Sequence, residues 1–214
     1  MERIICILIG YAFGLIQTGY IYGMINHVDI RKHGSGNAGT TNALRTLGWK
    51  AGIITFIGDC LKCVIAVFLV KFLIYAQHEQ VQLLAIYTGL GVVLGHNYPF
   101  YLKFKGGKGI AATAGLIFAI HPLMFLSIAI VFIAIVWFTQ YVSLGSLVIM
   151  LMFVAEVVVY GQFGGFDLVP PTLYEFYGIA VILAALAFYR HRANIKRLLT
   201  GTENKTNFRK IGKK

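Results

Sequence analysis

The apolar residues of this 214-residue chain fall in long blocks, separated by short breaks that carry Gly, Pro, His or charge. Residues 4–25 form an uncharged run of 22. As a helix rising 1.5 Å per residue it reaches roughly 33 Å, enough for the roughly 30 Å hydrocarbon core of a bilayer. The run is longer than the apolar region of a signal peptide and no small-x-small site closes it, so it is expected to remain as the first membrane span. Further blocks cover 51–75, 81–101, 110–120, 123–138, 142–160 and 172–189. The block 110–120 has only 11 residues, whereas 110–138 taken whole has 29 and overshoots one ordinary crossing. His121-Pro122 predicts the break between them, because proline disfavours helical geometry in the residue before it.

Composition agrees with a lipid environment, since 58% of the residues are apolar and 13% charged. The net charge of +11 would point to nucleic acid in a soluble domain, yet here the basic residues alternate with apolar blocks instead of covering one face. Topology and anionic lipid or substrate account for them better. Four Lys and Arg residues lie in 26–50, three in 102–109 and nine from Arg190 onward, against none in 76–80 or 161–173. By the positive-inside rule, seven crossings place all three basic segments in the cytoplasm and the N-terminus outside, whereas six would strand the last cluster outside. The expected fold is an all-α integral membrane protein, a single bundle of about seven transmembrane helices, with 1–203 as its domain and 204–214 as a basic cytoplasmic tail. Trp137, Phe138, Tyr141, Tyr174 and Tyr177 fall near span ends, as interfacial anchors do. Cys6, Cys60 and Cys63 all lie in apolar blocks, so no disulfide framework is implied, and Cys60-x-x-Cys63 reads as packing rather than redox or metal chemistry.

Three segments on the basic side carry candidate chemistry. In the first, GSGNAGTTNALRTLG at 34–48, Gly34, Gly36 and Gly39 let backbone approach a ligand closely. Ser35, Asn37, Thr40, Thr41 and Asn42 offer short hydrogen-bonding groups, and Arg45 a planar fork of donors. Any one of these belongs equally in a helix-capping turn, but together they suit a phosphate. In the second, GHNYPFYLKFKGGKGIAAT at 95–113, Lys105, Gly106, Gly107, Lys108 and Gly109 set amides and two ammonium groups just before a helix, where an anion is favoured. This is not a Walker A loop, because the earlier Gly is absent and Gly109 stands where Ser or Thr is needed, so ATP hydrolysis is not indicated. In the third, YRHRANIKRLLTGTENK at 189–205, His191, Asn194 and Arg197 or Leu198 share a face if the last helix continues out of the membrane. His191 titrates near neutrality and can move a proton, although a lone interfacial His between arginines is more often simply solvated. Asp59 and Lys62, one helical turn apart in the second span, are charges that lipid penalises, so they are expected to face protein and pair, either structurally or as part of the site.

In order and spacing, VDIRKHGSGNAGTTNALRTLG, DCLK, GHNYPFYLKFKGGKGIA, YVSLGS and YRHRANIKRLLTGTE resemble the PlsY family of bacterial acyl-phosphate:glycerol-3-phosphate acyltransferases over most of the chain. The resemblance implies a seven-helix enzyme of the bacterial cytoplasmic (inner) membrane with its active site on the cytoplasmic face. Its substrates would be acyl phosphate and glycerol 3-phosphate. Acylation of the 1-hydroxyl would give lysophosphatidate and inorganic phosphate, the first acylation step of phospholipid synthesis. Neither a metal, CoA nor another cofactor is implied, and no nucleic acid; membrane lipid and an upstream acyl-phosphate-forming enzyme are the implied partners. The resemblance makes Ser35, Arg45, His191 and Asn194 catalytic, and assigns glycerol 3-phosphate to the loop of Gly106, Gly107, Lys108 and Gly109. Gly34, Gly36, Asn37, Thr41, Asn42, Lys105 and Ser143 complete the phosphate-binding set, while Asp59, Lys62 and Glu203 are structural. The chain departs from the family pattern at Leu15, Gln17, Cys63, Gln140 and Ala112, where Thr is usual and Thr113 stands next to it.

An acyl phosphate is an activated mixed anhydride, so such an enzyme has chiefly to hold two phosphates, align a hydroxyl with the acyl carbon and stabilise developing negative charge. The segment of Ser35 and Arg45 is expected to grip the acyl phosphate and Lys108 with the third segment the glycerol 3-phosphate, with the reverse assignment open. His191 is either the general base, with Asn194 orienting it, or a hydrogen-bond partner while the departing phosphate takes the proton. A transporter of phosphorylated metabolites would place its binding groups near the midplane between repeats, and no internal repeat is evident. A purely lipid-binding protein leaves the Gly-Lys and Ser-Arg constellations unexplained. None of the six histidines opens an H-x4-D pair of the kind used by acyl-CoA acyltransferases.

Overall fold

In the computed structural model of the chain, residues 1–206 are described. Their regular elements are all helical, and they follow the apolar blocks closely. The first block forms α1 (Glu2–Gly14) and α2 (Thr18–Ile25), and a short amphipathic helix, α3 (Thr40–Leu47), precedes α4 (Trp49–Leu69), which runs on as a π-helical turn, Val70–Ile74. Then come α5 (Val81–Asn97), α6 (Ile110–Ile120), α7 (Pro122–Thr139), α8 (Val142–Gln162), α9 (Thr172–Arg190) and α10 (Arg192–Leu199). Among the described residues five helical stretches are long and apolar enough to cross a membrane, α6 is a shorter apolar helix, and α5 has 17 residues.

Three expectations are corrected. The first span is not one continuous helix but breaks at 15–17, where the side-chain amide of Gln17 donates to the carbonyls of Gly14 (3.1 Å) and His96 (3.1 Å). Lys62 of α4 donates to the carbonyl of Ile16 at 2.5 Å, so the backbone groups freed by the break find partners inside the bundle, as backbone at membrane depth must. The last helix likewise does not continue unbroken: His191 has left helical geometry (φ −97°, ψ 4°), and a separate helix, α10, begins at Arg192. The block expected over 81–101 ends early, because Pro99 brings no N–H and a 3-10 turn, Phe100–Leu102, takes over.

Close backbone contact holds the bundle. Along the α1–α5 seam a methyl group on Gly10 would overlap the carbonyl of Thr88, one on Gly91 that of Ile7, and one on Gly95 that of Tyr11. Small residues at four-residue spacing permit such approach where lipid is as apolar as the side chains and packing rather than hydrophobicity drives association. Gly115 of α6 meets the backbone of Cys60 in α4 in the same way. Leu83, Leu116, Met150, Phe153, Phe176 and Leu183 fill the core, while Ile133, Trp137 and Phe138 of α7 turn outward. At the end where the chain starts, Arg3 of α1 grips both oxygens of Glu175 in α9 (2.5 and 2.8 Å), and Tyr87 of α5 joins them at 2.6 Å. The three basic segments meet at the other end.

Candidate active site

The first segment is a loop wound around one side chain. Asn42, buried in the first turns of α3, accepts from the backbone N–H of Ser35 (2.8 Å) and donates to the carbonyls of Ile30 (2.7 Å), Asn37 (2.9 Å) and His33 (3.1 Å). Gly34 sits at φ +59°, where a methyl group would strike the Asn42 carbonyl oxygen, and Gly36 at φ +70°. Asn37 accepts from the N–H of Gly39 at 3.0 Å, closing a turn that leads into α3. Ser35, Asn37 and Thr41 face a cavity of about 250 Å³, with the start of α3 directed at it. Asn42 also borders it, but both ends of its amide are committed to the loop, so it shapes the cavity wall rather than offering a free group.

In the second segment the arrangement differs from the exposed amides read from the sequence. The N–H of Gly106 donates to the carbonyl of Asn97 (3.2 Å) and that of Gly107 to the carbonyl of His96 (3.0 Å), so both turn back on the C-terminal end of α5. Their own carbonyls accept from Arg190 at 2.8 to 3.1 Å. Lys105 is exposed and lies outside the cavity wall, whereas Lys108 and Gly109, at φ +84°, reach it. The loop therefore presents one ammonium group to the cavity, on a backbone pinned from two sides. Arg190 entered the sequence reading only as a topological charge, because nothing along the chain links it to a loop 83 residues away.

The third segment supplies a polar hub. The buried carboxylate of Glu203 accepts from Asn194 (2.8 Å), Ser143 (3.1 Å) and Arg197 (2.7 Å), and Asn194 in turn accepts from the Lys108 ammonium at 2.6 Å. Arg45 donates to the carbonyl of Asn204 (3.1 Å) and the hydroxyl of Thr206 (3.2 Å), and the N–H of Thr206 donates to the carbonyl of Gln140 (2.9 Å). Asn204 and Thr206, in the stretch assigned to the basic tail, thus bond to groups at the site; residues 207–214 of that tail lie outside the described residues. Asp59 and Lys62 are buried and paired at 2.8 Å, with Asp59 also on the cavity wall.

Burial tunes the charges here. It pushes the Lys108 ammonium down to about 8, against the pull of the Glu203 carboxylate. Burial, with the neighbouring positive Lys108, holds His191 down at about 4, so its imidazole is neutral near pH 7. Its Nδ1 lies 2.8 Å from the Ala187 carbonyl, which only accepts, so Nδ1 carries the proton and Nε2 keeps a lone pair. Opposite these groups Phe56, Ile110, Phe132 and Val136 give the cavity an apolar flank. All four residues expected to be catalytic, Ser35, Arg45, His191 and Asn194, border this one cavity, although they come from two segments far apart in the chain.

Fold and site together define an integral membrane protein with a polar cavity lined by Arg45 and Lys108 at one end of its helices. Comparison with known proteins gives that class a family. A sequence model of glycerol-3-phosphate acyltransferase matches residues 4–201. The chain is 44% identical over 213 residues to a glycerol-3-phosphate acyltransferase of Clostridioides difficile, covering 99% of this chain and 96% of that one. It is 40% identical over 215 residues to the enzyme of that name from Alkaliphilus metalliredigens, covering 100% and 98%. The crystal structure of PlsY (YgiH), an integral membrane glycerol 3-phosphate acyltransferase, in its glycerol 3-phosphate form matches with a TM-score of 0.83 at 33% identity, over 99% of this chain and 98% of that one. Its lysophosphatidic acid form gives 0.81 at 32% identity over 100% of both chains. The chain belongs to the glycerol-3-phosphate acyltransferase family, and it is an acyltransferase.

Proposed function

We propose that the protein transfers an acyl chain from acyl phosphate to the 1-hydroxyl of glycerol 3-phosphate, with both phosphate heads held at once in the one cavity, on the cytoplasmic face of a bacterial inner membrane. The observation that carries this reading is the convergence of Arg45, Lys108 and the Ser35 loop on a space that also has an apolar flank of Phe56, Ile110, Phe132 and Val136. Two anionic heads and an acyl chain have the matching chemistry. The glycerol 3-phosphate and lysophosphatidic acid forms of the related crystal structure support the acceptor and the product.

The Ser35 loop and Arg45 take the acyl-phosphate head, and Lys108 with the groups around Asn194 takes glycerol 3-phosphate. The acceptor hydroxyl attacks the acyl carbon, the bond from that carbon to the phosphate oxygen breaks, and the hydroxyl proton ends on the departing phosphate. His191 accepts a hydrogen bond from the hydroxyl through Nε2 and so aligns it. As a group protonated only near 4 it is a weaker base than a phosphate dianion, whose conjugate acid titrates near 6. Transition-state negative charge falls beside Arg45 and Lys108, where a water-poor site makes it count most.

Donor choice tests the reading. Purified protein in detergent should release inorganic phosphate in step with lysophosphatidate from palmitoyl phosphate and leave palmitoyl-CoA untouched. Efficient use of the thioester without phosphate release would remove acyl phosphate as the donor, and detergent leaves no second compartment into which a transporter could work.

A further inference from the structure

Beneath the Gly106–Gly107 backbone lies a buried cluster that the reaction described above does not use. Lys62 places its ammonium 2.8 Å from the Asp59 carboxylate, 2.5 Å from the Ile16 carbonyl and 2.9 Å from Nδ1 of His96. Thr18 donates to the same Asp59 oxygen at 3.2 Å, and all three principal side chains are at most 3% exposed. Charges are costly at that depth unless each has a partner, and here they do.

The geometry fixes a proton. A lysine ammonium has three donors and no acceptor, so the short contact at 2.9 Å requires Nδ1 of His96 to be the acceptor. A neutral imidazole that accepts at Nδ1 carries its hydrogen on Nε2. That Nε2 edge abuts Gly107, where any methyl group would overlap it, and it has no hydrogen-bond partner among the described residues. The ring forms part of the cavity wall together with Lys108 and Gly109. His191 is the mirror case, with the proton on Nδ1 and Nε2 open to accept. The cavity thus has one imidazole arranged to receive a hydrogen bond and another arranged to give one.

We propose that His96 is a further substrate-binding residue, a neutral donor to a phosphate oxygen through Nε2–H, and that Asp59 and Lys62 are positioning residues that hold this tautomer. The proposal rests on the acyl-transfer reading for which phosphate is held, but not for the hydrogen bond itself. Either the glycerol 3-phosphate head or the acyl-phosphate head has the oxygen that such a donor recognises.

Three variants of the full chain test it: His96→Gln, whose amide nitrogen falls near the position of Nε2; His96→Asn, whose amide falls near Nδ1; and His96→Leu. Melting in detergent without ligand reports the fold. The rise in melting temperature on adding inorganic phosphate or glycerol 3-phosphate reports binding without any acyl transfer. His96→Gln should keep that rise and a near-normal KM. His96→Asn and His96→Leu should lose it and raise one phosphate substrate's KM by about tenfold to a hundredfold, the scale of a lost hydrogen bond to a charged group, with kcat less affected. The KM that moves names the head that is held. Unchanged KM for both substrates in a folded His96→Leu protein overturns the proposal. If Leu does not fold, equal loss in Gln and Asn overturns it. A wild-type protein that melts later with phosphate yet transfers no acyl group from palmitoyl phosphate would overturn the acyl-phosphate reading while leaving this test standing.

Discussion

At the scale of single residues, the site separates groups that face the cavity from groups that hold them. Ser35, Arg45 and His191 border the cavity, and replacing any of them with Ala is expected to cost roughly a hundredfold in transfer, the scale of losing a positioned or charge-stabilising group. Normal turnover in His191→Ala would take it out of the reacting constellation. Lys108 gives the clearest pH signature. Its ammonium is fully charged well below about 8 and loses its proton above, so kcat/KM, which reports the free enzyme, should fall as pH rises through that value. A bound phosphate dianion favours the charged form, so the same limb in kcat should lie higher. In Lys108→Arg the kcat/KM limb should disappear from the range below pH 10, because a guanidinium stays charged. A wild-type profile flat from pH 7 to 9 would show that Lys108 does not meet substrate. Gly107→Ala should raise the KM for glycerol 3-phosphate, since a methyl group there displaces either the loop or His96. A change confined to the acyl-phosphate KM would reverse the assignment of the two heads.

At the scale of elements, the blocks were legible because lipid imposes both length and apolarity. The 110–120 helix and its end at His121-Pro122 stand where the sequence places them, and the other long helices begin and end within about two residues of their blocks, apart from the early end of α5 at Asn97 and the break in the first span. That break was not legible. It depends on Gln17 and Lys62 reaching backbone groups from elsewhere in the bundle, and no local pattern announces a partner 46 residues away. The α1–α5 seam is made of Gly10, Gly14, Gly91 and Gly95, and nothing in one sequence says that the two pairs meet. Because backbone rather than a flexible side chain opposes any added methyl group, Gly91→Ala is expected to destabilise the bundle by about 1–3 kcal/mol. Thermal unfolding in detergent measures it. An unchanged midpoint would mean that the seam is looser than the contacts require.

At the scale of the whole molecule, the chemistry sits at one end and the tie of Arg3, Glu175 and Tyr87 at the other, so sidedness and function stand or fall together. A reporter fused after Lys214 should be cytoplasmic and one inserted at 164–167 external; labelling of the C-terminal end from outside would overturn the seven-crossing topology. The residues of the site were largely readable as motifs, but their division of labour was not. Asn42, Gly106 and Gly107 resemble ligand groups in the sequence, and the structure commits them to holding the loops. His96 and Arg190 look like incidental polar positions, yet one lines the cavity and the other pins the Gly-Lys backbone. The proposal that both phosphate heads occupy one cavity together has a direct kinetic expression. Initial rates measured across a grid of palmitoyl phosphate and glycerol 3-phosphate concentrations should give intersecting reciprocal plots, because transfer occurs within a complex of both substrates. Parallel lines, with an acyl group accumulating on the protein before glycerol 3-phosphate is added, would show a covalent relay instead and contradict it.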